Sequence, residues 1–481
     1  MSSCIKHKLP ASPCRQTSRY FFCILALWAF LNIFRVILHP PLFCVTTYSR
    51  EKDDNNDFWK MSETGVDSGI RPCLNFSEMY KNFSVRAIPR KYMMVVVSGG
   101  LNQQRNQIVD AVLIARILKA VLVMPVLQVN QVWGDESEFS DIFDETHFKE
   151  VLKNDVVIVS SLPPRKLNRR RVRAPVMPFH ADEDWIIQNF GNKLRRDSIL
   201  LVRAIDSKLS KNLNADLQKL RCKVAYEALK FRPWIEETAE KLVKKIGQEG
   251  PYLALHLRLE KDVWVRTGCQ SGLGKKSDLL IENERKAKPQ LLTSRSKLAA
   301  QDRYAAGLCP LNAKEISRLL KGLGAPKNTR IYWAGGVPFG GESALEPLRR
   351  QFPNLQNKWS LSNSGELNDI KHKPSILAAL DYVVCLRSKV FIASHGGNMA
   401  NSLQGHRIYT GYGKNIKPNK KALVQLYMNK TLNGLEVEKE IKKIHTEILD
   451  FRSPGDTVLT KDSSSLIVRN CMCGTQKGKV N

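Results

Sequence analysis

Acidic side chains are scarce in this chain: 46 Asp and Glu stand against 75 Lys and Arg in 481 residues, a formal charge of +29 at pH 7. The deficit leads one to expect an anionic partner, whether nucleic acid, a membrane surface, a nucleotide or an acidic polymer, but sign alone does not choose. Long hydrophobic runs are almost absent as well. One uncharged stretch, Tyr20 to Phe34, is present, which excludes a polytopic membrane protein. Gly (28) and Pro (22) are too few and too irregular for a collagen-like or low-complexity chain, and 43% hydrophobic residues argue against wholesale disorder. No internal repeat of 20–50 residues is visible. Cys471-Met472-Cys473 is too tight for a CxxC redox motif, and no Cys or His lies at zinc spacing.

What is present begins with compartment. Residues 1–19 carry Lys6, Lys8, Arg15 and Arg19 without an acid, and read as a cytosolic tail. Residues 20–38 read as a signal anchor, provided that Arg35 snorkels to the headgroups while Val36, Ile37 and Leu38 still count toward the span. The rival is a cleaved signal peptide, but Pro40, Pro41, Leu42 and Phe43 stand where small residues are needed. An anchor puts the body in a lumen. Asn75, Asn82 and Asn429 each fit the glycosylation pattern. Seven cysteines, from Cys73 to Cys473, lie well beyond the anchor, so an oxidising lumen would let several pair, and their odd number leaves at least one thiol free.

Residues 39–90, with two prolines in tandem, a polar run and two acceptor asparagines, read as a stem. Patterning then becomes regular. An apolar run, Tyr92 to Val97, leads through Ser98-Gly99-Gly100 to a helical period over Gln103 to Lys119 and a second β-like run at Val121 to Val126. Further short runs at Asp155–Val159, Ile199–Val202, Tyr252–Leu257, Arg330–Ala334 and Val390–Ala393 alternate with helical patterns near 312–322, 342–351 and 374–385. Alternation of this kind predicts an α/β fold with parallel sheets in two comparable halves, divided near 240–250. The stretch 265–305 shows no pattern and reads as a long loop.

Three places carry chemistry. Gly99 to Arg105 joins a strand to a helix, where glycine admits a close ligand and the helix N-terminus attracts phosphate. It lacks the spacing of GxGxxG and of a P-loop, so neither a dinucleotide fold nor an ATPase is indicated; a plain turn capped by Asn102 is the alternative. In Tyr252 to Glu260, period two puts Leu253, Leu255, Leu257 and Leu259 on one side, and His256, Arg258 and Glu260 on the other. Arg258 can grip a diphosphate with its planar fork, or else pair with Glu260 or Asp262. Ser394-His395-Gly396-Gly397-Asn398 follows a strand; it has no GxSxG elbow, and reads as a second phosphate contact or a plain turn rather than part of a catalytic triad. Asp182-Glu183-Asp184 contains a DxD, but in a polar stretch away from any strand end, and no metal is expected there.

Gly99-Gly100-Leu101-Asn102-Gln103-Gln104-Arg105, the segment Trp133 to Phe143, His256-Leu257-Arg258, Ile331 to Gly336 and Ser394 to Asn398 together resemble the plant O-fucosyltransferase family of Golgi glycosyltransferases (GT106-type), in particular its members linked to pectic arabinogalactan. The resemblance implies a GT-B-like architecture: a first Rossmann-like domain over 91–245, a nucleotide-sugar-binding domain over 246–425 and an extension over 426–481. It implies a single-pass type II Golgi membrane protein that transfers a sugar, first of all fucose from GDP-fucose, to a cell-wall glycan or glycoprotein with inversion, no metal and no other cofactor. Partners would be the donor, the acceptor, the membrane and a glycosyltransferase complex, not nucleic acid. Substrate contacts are implied at Gly99, Gly100, Leu101, Asn102, His256, Leu257, Arg258, Asp381, Ser394, His395, Gly397 and Asn398. Arg258 and Asn102 would be catalytic, with Glu260 as the candidate base. Two departures stand out: Lys389, where relatives usually show an acid, and the basic run Arg165 to Arg173, which is either a solvated loop or a groove for a galacturonate-containing acceptor. A non-catalytic lumenal scaffold of the same fold is the competing function.

Overall fold

A computed structural model describes residues 58–59, 70–82, 91–130, 133–292, 298–446 and 471–474, all in one compact unit running from Asn56. The predicted tail and anchor, 1–38, lie outside these residues. Among the described residues no helix is long and apolar enough to cross a membrane.

The chain is α/β with two parallel sheets. In the first, strands run in the order Ile158–Val159, Val121–Val123, Tyr92–Val97, Ile199–Arg203, Val172–Arg173, with Val126–Leu127 also pairing to Tyr92–Val97. In the second the order is Leu355–Gln356, Arg330–Ala334, Tyr252–His256, Val390–Ala393, Lys414–Ile416. Because every pairing is parallel, the loops that follow the strands of one sheet collect along one edge, where open α/β sheets bind ligands.

Burial explains the strand patterns. Leu253, Leu255, Leu257 and Leu259 enter one core, with Trp333 and Ile392, whereas Tyr252 and Ala254 enter another with Ala334 and Phe391. The expected alternation is therefore present, with both faces covered, as parallel sheets require. Each buried leucine contributes about 2 kcal/mol of transfer free energy. The second core is continuous with that of the first sheet, since Met93, Val95, Leu101, Val202, Ala400 and Leu403 belong to it. Helix Leu101–Leu118 begins two residues earlier than its period suggested and is buried nearly all round, because helices Ala215–Cys222 and Asn398–Thr410 pack against it.

Two expectations are revised. The stretch 265–305 contains helices Lys275–Ala287 and Ala300–Ala305. The first buries only Ile281, so a polar helix shows no apolar stripe to read. Residues 70–82, within the predicted stem, are fastened to the body. Ile70–Pro72 pairs antiparallel with Met472–Gly474, Cys73 bonds to Cys473, and Tyr80 donates to Asp155 at 2.8 Å. Cys222–Cys471 and Cys269–Cys309 are the other disulfides, which leaves buried Cys385 as the free thiol among the described residues.

Candidate active site

The Tyr92–Val97 strand ends in a turn that Gly99 makes at φ +91°, a left-handed conformation that other residues adopt with strain. The Gly100 N–H donates to Gln103 Oε1 at 2.8 Å, capping the helix that starts at Leu101. Asn130 Nδ2 donates to the Gly99 carbonyl at 3.1 Å, and the Trp133 ring lies against Gly100. Asn102, in the first helical turn, is buried with its side-chain oxygen unpartnered. Buried polar atoms are nearly always satisfied, so this orphan beside a helix N-terminus is an exception, with an oxygen left to accept a hydrogen bond. Arg105 has a different task. It donates to the carbonyls of Leu229 and Ala225 and lies over the rings of Tyr382, Phe231 and Phe143, so it joins the two halves.

Three strand ends of the second sheet are neighbours. His256, Ala334 and Ala393 stand in register, and the loops after them interlock. The Arg258 N–H donates to Ser394 Oγ at 2.9 Å, and the Ser394 N–H to the His256 carbonyl at 2.9 Å. Of the two readings of its guanidinium, the ion pair is present: Arg258 Nε lies 3.3 Å from Glu260 Oε2 and the side chain is 28% exposed. Glu260 Oε1 accepts from the Gly336 N–H at 2.9 Å, so both carboxylate oxygens are engaged. Gly335 sits so near this loop that a Cβ there would lie 2.5 Å from the Leu257 carbonyl oxygen. Asp381 is buried beneath the same turn. It accepts from Tyr332 Oη at 2.6 Å, the Gly335 N–H at 3.1 Å and Lys358 Nζ at 2.8 Å. It therefore shapes the turn from inside the protein.

Two cations and two imidazoles meet along this edge. Burial, then Arg258 and His395, hold the His256 imidazole down to about 3, and its Nδ1 is buried without a partner. Burial, then Lys420 and Arg258, lower His395 likewise to about 3. Lys420 Nζ lies 3.0 Å from His395 Nδ1. Two neutral rings thus stand among two cations. Gly397 and Asn398 begin the helix Asn398–Thr410, which packs against helix Leu101–Leu118.

A second bridge joins the glycine turn to these strand ends. Asp135, from the Trp133–Phe143 segment, accepts from the Ser375 N–H at 2.5 Å at the start of helix Pro374–Arg387, the helix that carries Asp381. Burial pushes the Asp135 carboxyl up, but hydrogen bonds from Ser375 and Ser137 outweigh it and hold it below the usual carboxylate range.

Other sequence candidates lie elsewhere. Lys389 precedes the Val390–Ala393 strand and so occupies the opposite edge of the sheet from Ser394; it stands away from the strand ends. Within the DxD, Asp182 caps a helix through the Trp185 N–H and Glu183 accepts from Asn214. The basic run begins in helix Pro164–Leu167 and ends in Val172–Arg173, an edge strand of the first sheet; Arg169, Arg170 and Arg171 are exposed to solvent. Asn75, Asn82 and Asn429 are exposed, and Asn429 Oδ1 accepts from Thr431 Oγ1 at 2.7 Å. Among the described residues no group of three or more His, Cys, Asp or Glu could hold a metal ion. Sequence reasoning missed Lys358 and Lys420; neither carries a local signal, because each meets its partner only through the tertiary fold.

The model of the GDP-fucose protein O-fucosyltransferase family matches residues 92–410. O-fucosyltransferase 24 of Arabidopsis thaliana is 52% identical over 437 residues, 90% of this chain and 75% of the relative. O-fucosyltransferase 20 of the same plant is 50% identical, over 88% of this chain and 73% of its own length. A crystal structure of POFUT1 in complex with GDP-fucose is similar over 70% of this chain and 99% of its own, at 14% identity and a TM-score of 0.42.

Proposed function

Since the chain belongs to the GDP-fucose protein O-fucosyltransferase family and is thereby a glycosyltransferase of the fucosyltransferase kind, we propose that it transfers fucose from GDP-fucose to a hydroxyl of a cell-wall glycan or glycoprotein. We read its two halves as GT-B-like, with the donor held at the strand ends of the second sheet. In this reading the protein is a type II membrane protein of the Golgi, its body in the lumen, and the reaction inverts the anomeric centre without a metal. One observation carries the reading: Arg258, Lys420 and the neutral rings of His256 and His395 gather at adjoining parallel strand ends.

The chemistry asks for such a site. As the acceptor oxygen bonds to C1 of the sugar, the C1–O bond to the β-phosphate breaks. Its electron pair leaves with GDP, and the acceptor's proton passes to a base. Negative charge grows on the phosphate oxygens, and fixed donors aimed at that charge lower the barrier most. Arg258 supplies a charged fork, held in place by Glu260. Glu260, with both oxygens engaged, orients the arginine rather than taking the proton. The N-terminus of helix Leu101–Leu118 adds N–H groups, and the orphaned Asn102 oxygen offers a sugar or acceptor hydroxyl its partner.

Calorimetric titration of the full chain with GDP tests the reading. Saturable binding, accompanied by hydrolysis of GDP-fucose in preference to other nucleotide sugars, is expected. No binding would favour the scaffold alternative.

A further inference from the structure

Lys420 opens the helix Lys420–Met428 and points back at the Ser394–Asn398 turn. Its Nζ lies 3.0 Å from His395 Nδ1 and 2.8 Å from the Cys309 carbonyl oxygen. Cys309 is fixed in turn by its disulfide to Cys269. An ammonium group has three donors and no acceptor. The ring nitrogen facing it must therefore present a lone pair, and the neutral imidazole then carries its proton on Nε2.

The arrangement is poised, because the Cys309 carbonyl is also within reach of the His395 ring. Without the ammonium, Nδ1–H can donate to that carbonyl, and Nε2 becomes an acceptor that repels phosphate oxygens. We propose that Lys420 is a positioning residue that holds His395 in its Nε2–H form, so that the turn after the Val390–Ala393 strand presents a hydrogen-bond donor to the pyrophosphate of the nucleotide sugar. The proposal rests on the donor-binding reading given above.

The charged groups bearing on this pair are few. Burial lowers Lys420 to about 8, while Glu315, from helix Ala313–Gly322, opposes the shift and Lys417 adds to it. On the His395 side the cations are Lys420 and Arg258. His395 thus stays neutral throughout the working range, and Lys420 is the group that titrates within it. As pH rises through about 8 the ammonium loses its proton and with it the hold on the tautomer.

Nitrogen-15 NMR of the histidine-labelled full chain reads the tautomer directly, with His395 assigned by the signal that His395→Gln removes. The wild type should show Nε2–H at pH 7, K420M should show Nδ1–H, and K420R, whose guanidinium stays charged, should keep Nε2–H beyond the pH at which the wild type loses it. Calorimetry should find GDP binding roughly tenfold weaker in K420M. Wild-type affinity should fall as pH passes about 8, a loss K420R does not share. A wild type with Nδ1–H at pH 7, or K420M that keeps Nε2–H and full GDP affinity, overturns the proposal. A wild type that shows Nε2–H and a K420M that shows Nδ1–H, with no GDP bound by the wild type, uphold the tautomer lock and overturn the donor-binding reading instead.

Discussion

The strand ends of the second sheet and the glycine turn of the first, the two places proposed to hold the donor's pyrophosphate, are built by different means. At the strand ends, charge sits on side chains, and other side chains hold it: Glu260 holds Arg258, Gly336 holds Glu260, and Asp381 with Lys358 holds Gly335. In the glycine turn itself, Gly99 to Gln104 carry no charge, and Arg105 is spent on joining the halves. What remains is backbone, a helix N-terminus and the orphaned Asn102 oxygen. The difference teaches that charge must be braced to be useful, because a free guanidinium loses entropy on every binding event, whereas a helix end is already rigid.

The contrast is sharpest at Arg258. Arg258→Ala should lower fucosyl transfer about a thousandfold and weaken GDP binding, with the far-UV circular dichroism unchanged, since its partner Glu260 keeps the Gly336 N–H. Unchanged turnover would dissolve the distinction between the two regions. Lys358→Met should cost about 3 kcal/mol in denaturant unfolding, because it leaves Asp381 buried without its cation. The double variant K358M/D381N should recover part of that loss; if it is no better than the single, the brace is not electrostatic. Asn102→Ala should slow transfer about tenfold with little change in stability, because no protein partner is lost. A drop larger than that of Arg258→Ala would invert the comparison.

The smallest effect concerns pH. His256, His395 and His406 are each held near 3, against about 6.5 when unfolded. The unfolded chain therefore binds protons that the folded chain refuses, so stability is full above pH 6.5 and declines as pH falls from there toward 3. Thermal melts between pH 7 and pH 5 should show a midpoint lower by a few degrees in acid. The decline should be shallower in His406→Gln, which lies outside the donor site.

Much of this was legible because it is local. The Tyr92–Val97 strand, its glycine turn and the helix behind it show in the period of their apolar residues, and the leucines of 253–259 revealed their common face. The alternatives for Arg258 could not be separated from sequence, because pairing with Glu260 depends on where a loop turns after a strand stops at His256. The helix Lys275–Ala287 was missed because it packs through one residue.

By itself, the order of apolar and polar residues determined the α/β alternation, the places where strands yield to turns, and the motifs that mark the family, since each rests on neighbours in the chain. Only the tertiary structure decided that Lys420 would face His395, that Lys358 would neutralise Asp381, and that Cys73 would find Cys473 across 400 residues. The two lysines meet their partners because parallel pairing stacks distant strand ends on one edge, and the cysteines because Ile70–Pro72 pairs antiparallel with Met472–Gly474, juxtapositions that no local pattern encodes.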